Sequence, residues 1–335
     1  MSSVAIILGT RPEIIKMSPI IREYERKGDD YFILHTGQHY SYSMDRIFFE
    51  QLHLPEAQYN LNVGSGLQGE QTGKMLGQIE RVLIDEEPRA VLVQGDTNTV
   101  LAGALAAVKL HIPVGHVEAG LRSNDRRMPE EINRILADHA SDYLFAPTEA
   151  SRQNLVHEGI PDEKVFVCGN TVVDALFQNL SISEETVYPL KELGVRPGGY
   201  FLVTAHRQEN VDDARRLGNI LKGLERIAAD YAMPVIYPMH PRTRKMMEQF
   251  GLRAGSIRCV EPLDYLSFLQ LEKHAALILT DSGGVQEEAC ILHTPCATLR
   301  ENTERPETVA VGANILVGTD PKAISEGVRT MMERE

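Results

Sequence analysis

The sequence predicts an α/β fold: two doubly wound domains, each a parallel sheet with helices on both faces, and a cleft between the domains. Three observations carry this. Short β-branched runs alternate with helix-like segments along most of the 335 residues. The runs are continuously apolar rather than alternating, as in strands buried on both faces. The alternation breaks once, near residues 181–199, and then restarts.

In the first half, strands are expected at residues 4–9, 31–36, 90–94, 113–117, 143–146 and 164–168. In the second half they are expected at 200–204, 234–238, 257–260, 277–280, 296–299 and 315–317. Between them, apolar residues recur near a period of 3.6, most clearly over 101–110 and 215–228. The break, SISEETVYPLKELGVRPGG, is polar, holds two prolines and ends in Gly-Gly. It is expected to be a linker with a short helix. The expected domains are therefore 1–180 and 200–335, a division that suits the length.

Acidic residues number 47 against 34 basic ones, for a net charge of −13. A general nucleic-acid binder or an anionic-membrane binder would be basic, so neither partner is expected. No apolar run approaches the ~20 residues of a membrane span. The chain opens directly on a strand pattern with no signal peptide, so a cytoplasmic location is expected. Cys168, Cys259, Cys290 and Cys296 form no CxxC pair. Neither a disulfide framework nor a zinc site is indicated, and reduced, mostly buried thiols are expected.

Acids end two of the hydrophobic strands. VLVQGDTNT stops at Gly95-Asp96, and GHVEAGLRS stops at Glu118. In doubly wound sheets ligands bind beyond the carboxyl ends of the strands, which gives Asp96 and Glu118 an address at the mouth of the first domain. The first loop, GTRPEIIK, has the Thr-x-x-Glu spacing of a capping box in Thr10 and Glu13, with Pro12 suited to a first helical turn. Arg11 and Lys16 beside that helix start are either solvated cations or part of an anion site. The loop is not GxGxxG, so NAD binding has no support.

In the second half LILTDSGGVQEEA runs from a strand through Asp281-Ser282-Gly283-Gly284 into a helix. The glycines admit a ligand close to the backbone, Ser282 can cap and donate, and the helix N-terminus favours a phosphate or diphosphate. Glu287 and Glu288 complement the helix dipole, and such a carboxylate can also accept from ribose hydroxyls. Arg300 and Arg305, in RENTERPE, could neutralise a diphosphate. The alternative is a plain strand–turn–helix with capping acids.

Together GTRPEIIK, TGQH, VQGDTNTVLA, GHVEAGLRS, PEEINR, FAPTEASRQNL, GNTVVDAL, VTAHRQEN, LTDSGGVQEEA and TERPE resemble the non-hydrolysing UDP-N-acetylglucosamine 2-epimerases, in consistent order from residue 9 to about 307. The resemblance implies two Rossmann-like domains of the glycosyltransferase-B type. It implies interconversion of UDP-GlcNAc and UDP-ManNAc without NAD or an obligatory metal, and a homodimer. UDP is eliminated to leave 2-acetamidoglucal and is added back with hydrogen on the other face of C2. Asp96, Glu118, Glu130 and His206 fall on the family's catalytic positions. Arg11 and Lys16 would lie near UDP and sugar, Ser282, Gly283 and Gly284 at the diphosphate, Glu288 at the ribose and Arg305 at the UDP-sugar.

The chemistry asks for these residue types. The C2 proton is not next to a carbonyl, so its removal must accompany cleavage of the anomeric C–O bond. That needs a carboxylate base, a stabilised leaving group and a second acid on the opposite face. Crowding and burial would keep one acid protonated beside a charged neighbour, and Glu118 is expected to be tuned in this way by Asp96 and Glu130. Other roles are available for several residues. His206 after a strand is often structural, and Glu130 at a helix start suits the dipole, a role for which Glu131 is the better candidate. Arg122 and Arg127 are solvated cations or partners of these acids, and His39 and His240 are core or cleft residues.

Family members usually continue past TMMERE, so a truncated or a shorter homologue is expected. TGQHYSYSMDRIFFEQL and RSNDRRMPEEINR also look like relatives acting on UDP-diacetamido-uronic acids, although Thr10 and Glu13 favour UDP-GlcNAc. A hydrolysing epimerase, a glycosyltransferase of the same fold and a non-catalytic nucleotide-sugar regulator are the remaining readings. The last is disfavoured, because binding alone does not require three acids and a histidine at catalytic positions.

Overall fold

A computed structural model describes residues 3–38 and 42–333, with the backbone alone for 42–45. His39 lies outside the described residues. The chain divides into two compact units, Met1–Gln178 and Asn179–Glu335.

The first unit runs β1 (Val4–Leu8), α1 (Arg11–Lys27), β2 (Tyr31–His35), α2 (Tyr42–Gln51), β3 (Tyr59–Asn60), α3 (Gln68–Glu86) and β4 (Ala90–Gln94). It continues through α4 (Asn98–Lys109), β5 (Val114–Val117), α5 (Pro129–Ala140), β6 (Tyr143–Ala146), α6 (Glu149–His157) and β7 (Val165–Val167) into α7 (Thr171–Thr186). Its seven strands are all parallel, in the order β3-β2-β1-β4-β5-β6-β7. The five residues of β1 are all buried, as their unbroken apolar run requires of a strand covered on both faces.

The second unit runs α8 (Pro189–Glu192), β8 (Phe201–Thr204), α9 (Gln208–Val211), α10 (Ala214–Tyr231), β9 (Val235–Pro238), α11 (Pro241–Gln249) and β10 (Arg258–Val260). It ends with α12 (Tyr265–His274), β11 (Leu277–Thr280), α13 (Gly283–Ile291), β12 (Cys296–Thr298), α14 (Pro306–Ala310), β13 (Asn314–Leu316) and α15 (Pro321–Met332). Its six parallel strands are ordered β10-β9-β8-β11-β12-β13. The topological switch points lie between β1 and β4 in one sheet and between β8 and β11 in the other, where such folds gather ligand-binding loops.

All the expected strands form, and β3 is added. Two residues without an apolar run carry no strand signal of their own, and Tyr59 and Asn60 gain theirs by pairing with β2. Residues 181–186, expected as linker, continue α7. Leu180 and Ser183 are buried there, and the Ser183 hydroxyl donates to the Leu266 carbonyl at 2.7 Å. The thiols also differ from expectation, because Cys296 is buried while Cys168, just after β7, and Cys259, within β10, are exposed. Among the described residues no helix is long and apolar enough to cross a membrane.

Candidate active site

In the first unit the site residues follow three adjacent strands, β1, β4 and β5. The β1–α1 turn is tight at Gly9, where a Cβ would stand 2.0 Å from the Thr36 hydroxyl. Glu13 folds back on this turn. Its carboxylate accepts from the Gly9 N–H at 2.6 Å and the Thr10 N–H at 2.9 Å, the reciprocal arm of a capping box. The Thr97 hydroxyl, after β4, also donates to it. Burial raises the Glu13 pKa from 4.5 to about 7 against these hydrogen bonds.

One turn further along α1, the Lys16 ammonium reaches Glu118, with Nζ 2.7 and 2.8 Å from the carboxylate oxygens. Glu118 is buried at the end of β5 in a left-handed conformation, φ 68°. The Gln94 amide donates to it, and the Asn170 amide lies at 3.5 Å. A lysine is therefore among the charges touching Glu118. Few non-glycine residues adopt this backbone, and such strain clusters at functional sites. Gly120 turns the chain again at φ 81°, where a Cβ would lie 2.3 Å from the Ser151 carbonyl oxygen.

Asp96 pairs with Arg134 of α5, and the Asn133 amide donates to the Asp96 carbonyl at 3.0 Å. Glu130 is exposed on the first turn of α5. Its neighbour Glu131 is buried and accepts from the Ser123 and Asn124 N–H groups, both at 2.9 Å, and from Arg134 at 3.0 Å. From the first turn of α5, where it also complements the helix dipole, Glu131 thus closes the preceding loop. Arg122 pairs with Asp138 at 2.8 Å and Glu158 at 2.6 Å, and Arg127 with Asp125 at 2.8 Å, so neither serves Asp96, Glu118 or Glu130. Arg11 lies 5.4 Å from the centre of the Phe48 ring.

In the second unit His206 follows β8, and Asp281 directly follows β11, the neighbouring strand. Asp281 is wholly buried and accepts from the His206 and Arg207 N–H groups, each at 3.0 Å, and from the Asn210 amide at 3.1 Å. Its other oxygen stands 3.3 Å from His206 Nδ1. Surrounding protein holds the His206 pKa below the usual value, and the Asp281 charge opposes this. Ser282 caps α13, accepting from the Val285 N–H. At Gly283 and Gly284 an added Cβ would meet nothing closer than 3.5 Å, so the fold itself does not demand glycine there.

Glu288, half-buried on α13, lies beside Tyr265 and Glu272 and acts on both through its charge. Burial, followed by the Glu288 charge, raises the Glu272 pKa well above the usual carboxylate range. Arg305 Nε lies 3.5 Å from Glu287. Arg300, expected to face a diphosphate, is instead buried and engaged by Glu209 at 2.9 Å and Glu304 at 2.8 Å. His240 caps α11, its Nδ1 accepting from the Arg242 N–H.

Gln94, Asn133, Arg134 and Asn170 carry no role in the sequence patterns, and Asp281 figures there only as part of the loop before α13. PEEINR held the one usable signal: Arg134 lies three positions after Glu131 and four after Glu130, on the face those acids share.

Two parallel sheets with polar side chains gathered beside each switch point define an α/β enzyme architecture of the glycosyltransferase-B type. The chain belongs to the UDP-N-acetylglucosamine 2-epimerase family, whose model matches residues 22–335. It is 59% identical to the UDP-N-acetylglucosamine 2-epimerase of Methanocaldococcus jannaschii, covering 99% of this chain and 92% of that protein. It is 44% identical to the UDP-2,3-diacetamido-2,3-dideoxy-D-glucuronate 2-epimerase of Pseudomonas aeruginosa, covering 97% and 91%. The crystal structure of the M. jannaschii enzyme in complex with UDP-GlcNAc and UDP superposes with a TM-score of 0.86 at 58% identity, covering 99% of this chain and 93% of that one.

Proposed function

We propose that this protein interconverts UDP-GlcNAc and UDP-ManNAc by C2 epimerisation. The observation that carries the reading is the buried Glu118 carboxylate, held by Lys16 beside Asp96 at the ends of adjacent strands, in a chain 59% identical to an enzyme of that name. One carboxylate takes the C2 proton while the C1–O bond breaks. The C–H electrons become the C1=C2 bond of 2-acetamidoglucal, and UDP leaves with the C–O pair. Re-addition of UDP, with a proton delivered to the opposite face of C2, completes the change. No net oxidation occurs.

Asp96 and Glu118 take part in the proton transfers, Glu130 assists or orients, and His206 acts near the leaving group or the sugar hydroxyls. Arg11 and Lys16 lie near UDP and sugar, Ser282, Gly283 and Gly284 hold the diphosphate, Glu288 the ribose and Arg305 the UDP-sugar. The domains are 1–180 and 200–335, and the enzyme works as a cytoplasmic homodimer supplying ManNAc-type sugars for surface polysaccharide. The open Gly283–Gly284 turn supports the diphosphate assignment. The 44% identical relative supports a second reading, a UDP-diacetamido-uronate substrate.

Incubation with UDP-GlcNAc in deuterated water, followed by NMR at C2, tests this. UDP-ManNAc carrying deuterium at C2 is the expected product. Free ManNAc would indicate hydrolysis, and turnover of the diacetamido-uronate alone would replace the substrate. Asp96→Asn and Glu118→Gln are expected to abolish exchange while leaving UDP affinity nearly intact; wild-type exchange in either variant removes that residue from proton transfer.

A further inference from the structure

A buried ion chain lies behind the two acids and has no part in the chemistry above. His116, in β5, is fully buried. Its Nε2 lies 2.8 Å from the Gly95 carbonyl oxygen, and its Nδ1 lies 2.7 Å from Asp138 Oδ1. A carbonyl can only accept, so Nε2 carries a proton. Asp138 Oδ2 accepts from the Gly120 N–H at 3.2 Å and faces the Arg122 guanidinium at 2.8 Å. Both favour the ionised carboxylate, so Nδ1 carries a proton as well. The charges then run Glu158, Arg122, Asp138 and His116, with alternating sign, toward Asp96. Burial alone would lower the His116 pKa, but the Asp138 charge and the two hydrogen bonds outweigh it and raise it. Burial likewise opposes ionisation of Asp138, and His116 and Arg122 reverse that.

The chain grips both acid-bearing turns. Gly95 immediately precedes Asp96 and sits at φ 85°, its N–H on the Val117 carbonyl at 3.1 Å. Gly120 follows Glu118 by two residues. The His116–Asp138 pair therefore ties the turn carrying Asp96 to the turn after Glu118 through one buried pair of ions. We propose that His116, held as an imidazolium by Asp138, is a positioning residue that fixes Asp96 relative to Glu118 for C2 proton transfer. The inference rests on the reading of Asp96 and Glu118 as proton-transfer groups.

The test has two arms. In the full-length wild-type protein labelled with 15N-histidine, His116 is expected to show protons on both ring nitrogens at pH 7.5, where an ordinary imidazole is neutral. A His116 that is neutral at pH 7.5 overturns the proposal, whatever the variants do. In the second arm His116→Asn keeps an amide donor for Asp138 but loses Gly95, whereas His116→Gln reaches Gly95. The kcat for C2 exchange is expected to fall roughly 100-fold in H116N with KM little changed, the size of loss that a misplaced group causes, and to recover in large part in H116Q. Unchanged kcat per folded molecule in H116N, or equal impairment of both variants, assigns His116 to stability alone and overturns the proposal. If H116N does not fold, H116Q decides, with kcat near wild type as the expected result and a 100-fold loss as the contrary one. Failure of the underlying functional reading shows separately, as absence of deuterium incorporation by the wild type.

Discussion

Glu13→Gln should make the first unit more stable at alkaline pH, and by an amount that grows with pH. Glu13 is buried, and its pKa is raised from 4.5 to about 7. The folded state therefore holds this proton more tightly than the unfolded chain does. Below pH 4.5 the group is protonated in both states and costs nothing. As pH rises from 4.5 to about 7 the unfolded chain is ionised while the folded group still holds its proton, and the folded state is progressively penalised until the cost levels off above about 7. At about 1.4 kcal/mol per pH unit, the interval from 4.5 to about 7 amounts to about 3 kcal/mol. Glutamine keeps a carbonyl oxygen for the Gly9 and Thr10 N–H groups and never ionises. For a unit of this size each kcal/mol moves Tm by roughly 2–4 °C. The transition of the first unit should thus run about 6–12 °C higher in the variant than in the wild type at pH 8.5, with the gap nearly closed at pH 4.5. Melting of both proteins across that range by circular dichroism measures it. A gap that does not vary with pH, or one that widens toward acid, refutes the reasoning.

Lys16→Met removes the cation touching Glu118 and leaves a buried carboxylate without its ion pair, at an expected cost of about 3–5 kcal/mol. A lowered urea midpoint measures this, and an unchanged midpoint shows that Glu118 is held by other means. Asp281→Asn cannot offer an anion to His206 and Arg207 together. The kcat for C2 exchange is expected to fall by roughly 100-fold, as when a general acid–base group is disabled, and wild-type kcat would detach His206 from Asp281.

The strands were legible because each carries its own apolar run, and a parallel sheet buries both faces of that run. β3 was not, since its two residues are strand by virtue of β2. The end of α7 was hidden by composition: SISEET looks like linker, yet Ser183 finds a carbonyl at the core of the second unit. Asp96 and Glu118 could be placed from strand ends alone, because the fold rule acts on sequence position. The Lys16–Glu118 pair could not, because its members are 102 positions apart and nothing local couples them. His116 looked like one more residue of a buried strand, and an imidazole within an apolar run does not announce its partner.

Both sheets place their first strand in the middle, and this sets the order in which the chain can be completed during synthesis. β1 takes one edge partner from β2, but its other edge waits for β4, with Val4 opposite Ala90. At roughly 5–20 residues per second a ribosome needs about 4–17 s to travel that distance. For that time an open strand edge of sequence VAIIL is presented to whatever else is nascent nearby. The second sheet repeats the wait, from Phe201 to Leu277. Such non-local pairing folds slowly and leaves sticky edges exposed, so the yield of native protein depends on translation speed and chaperone supply more than its final packing would indicate.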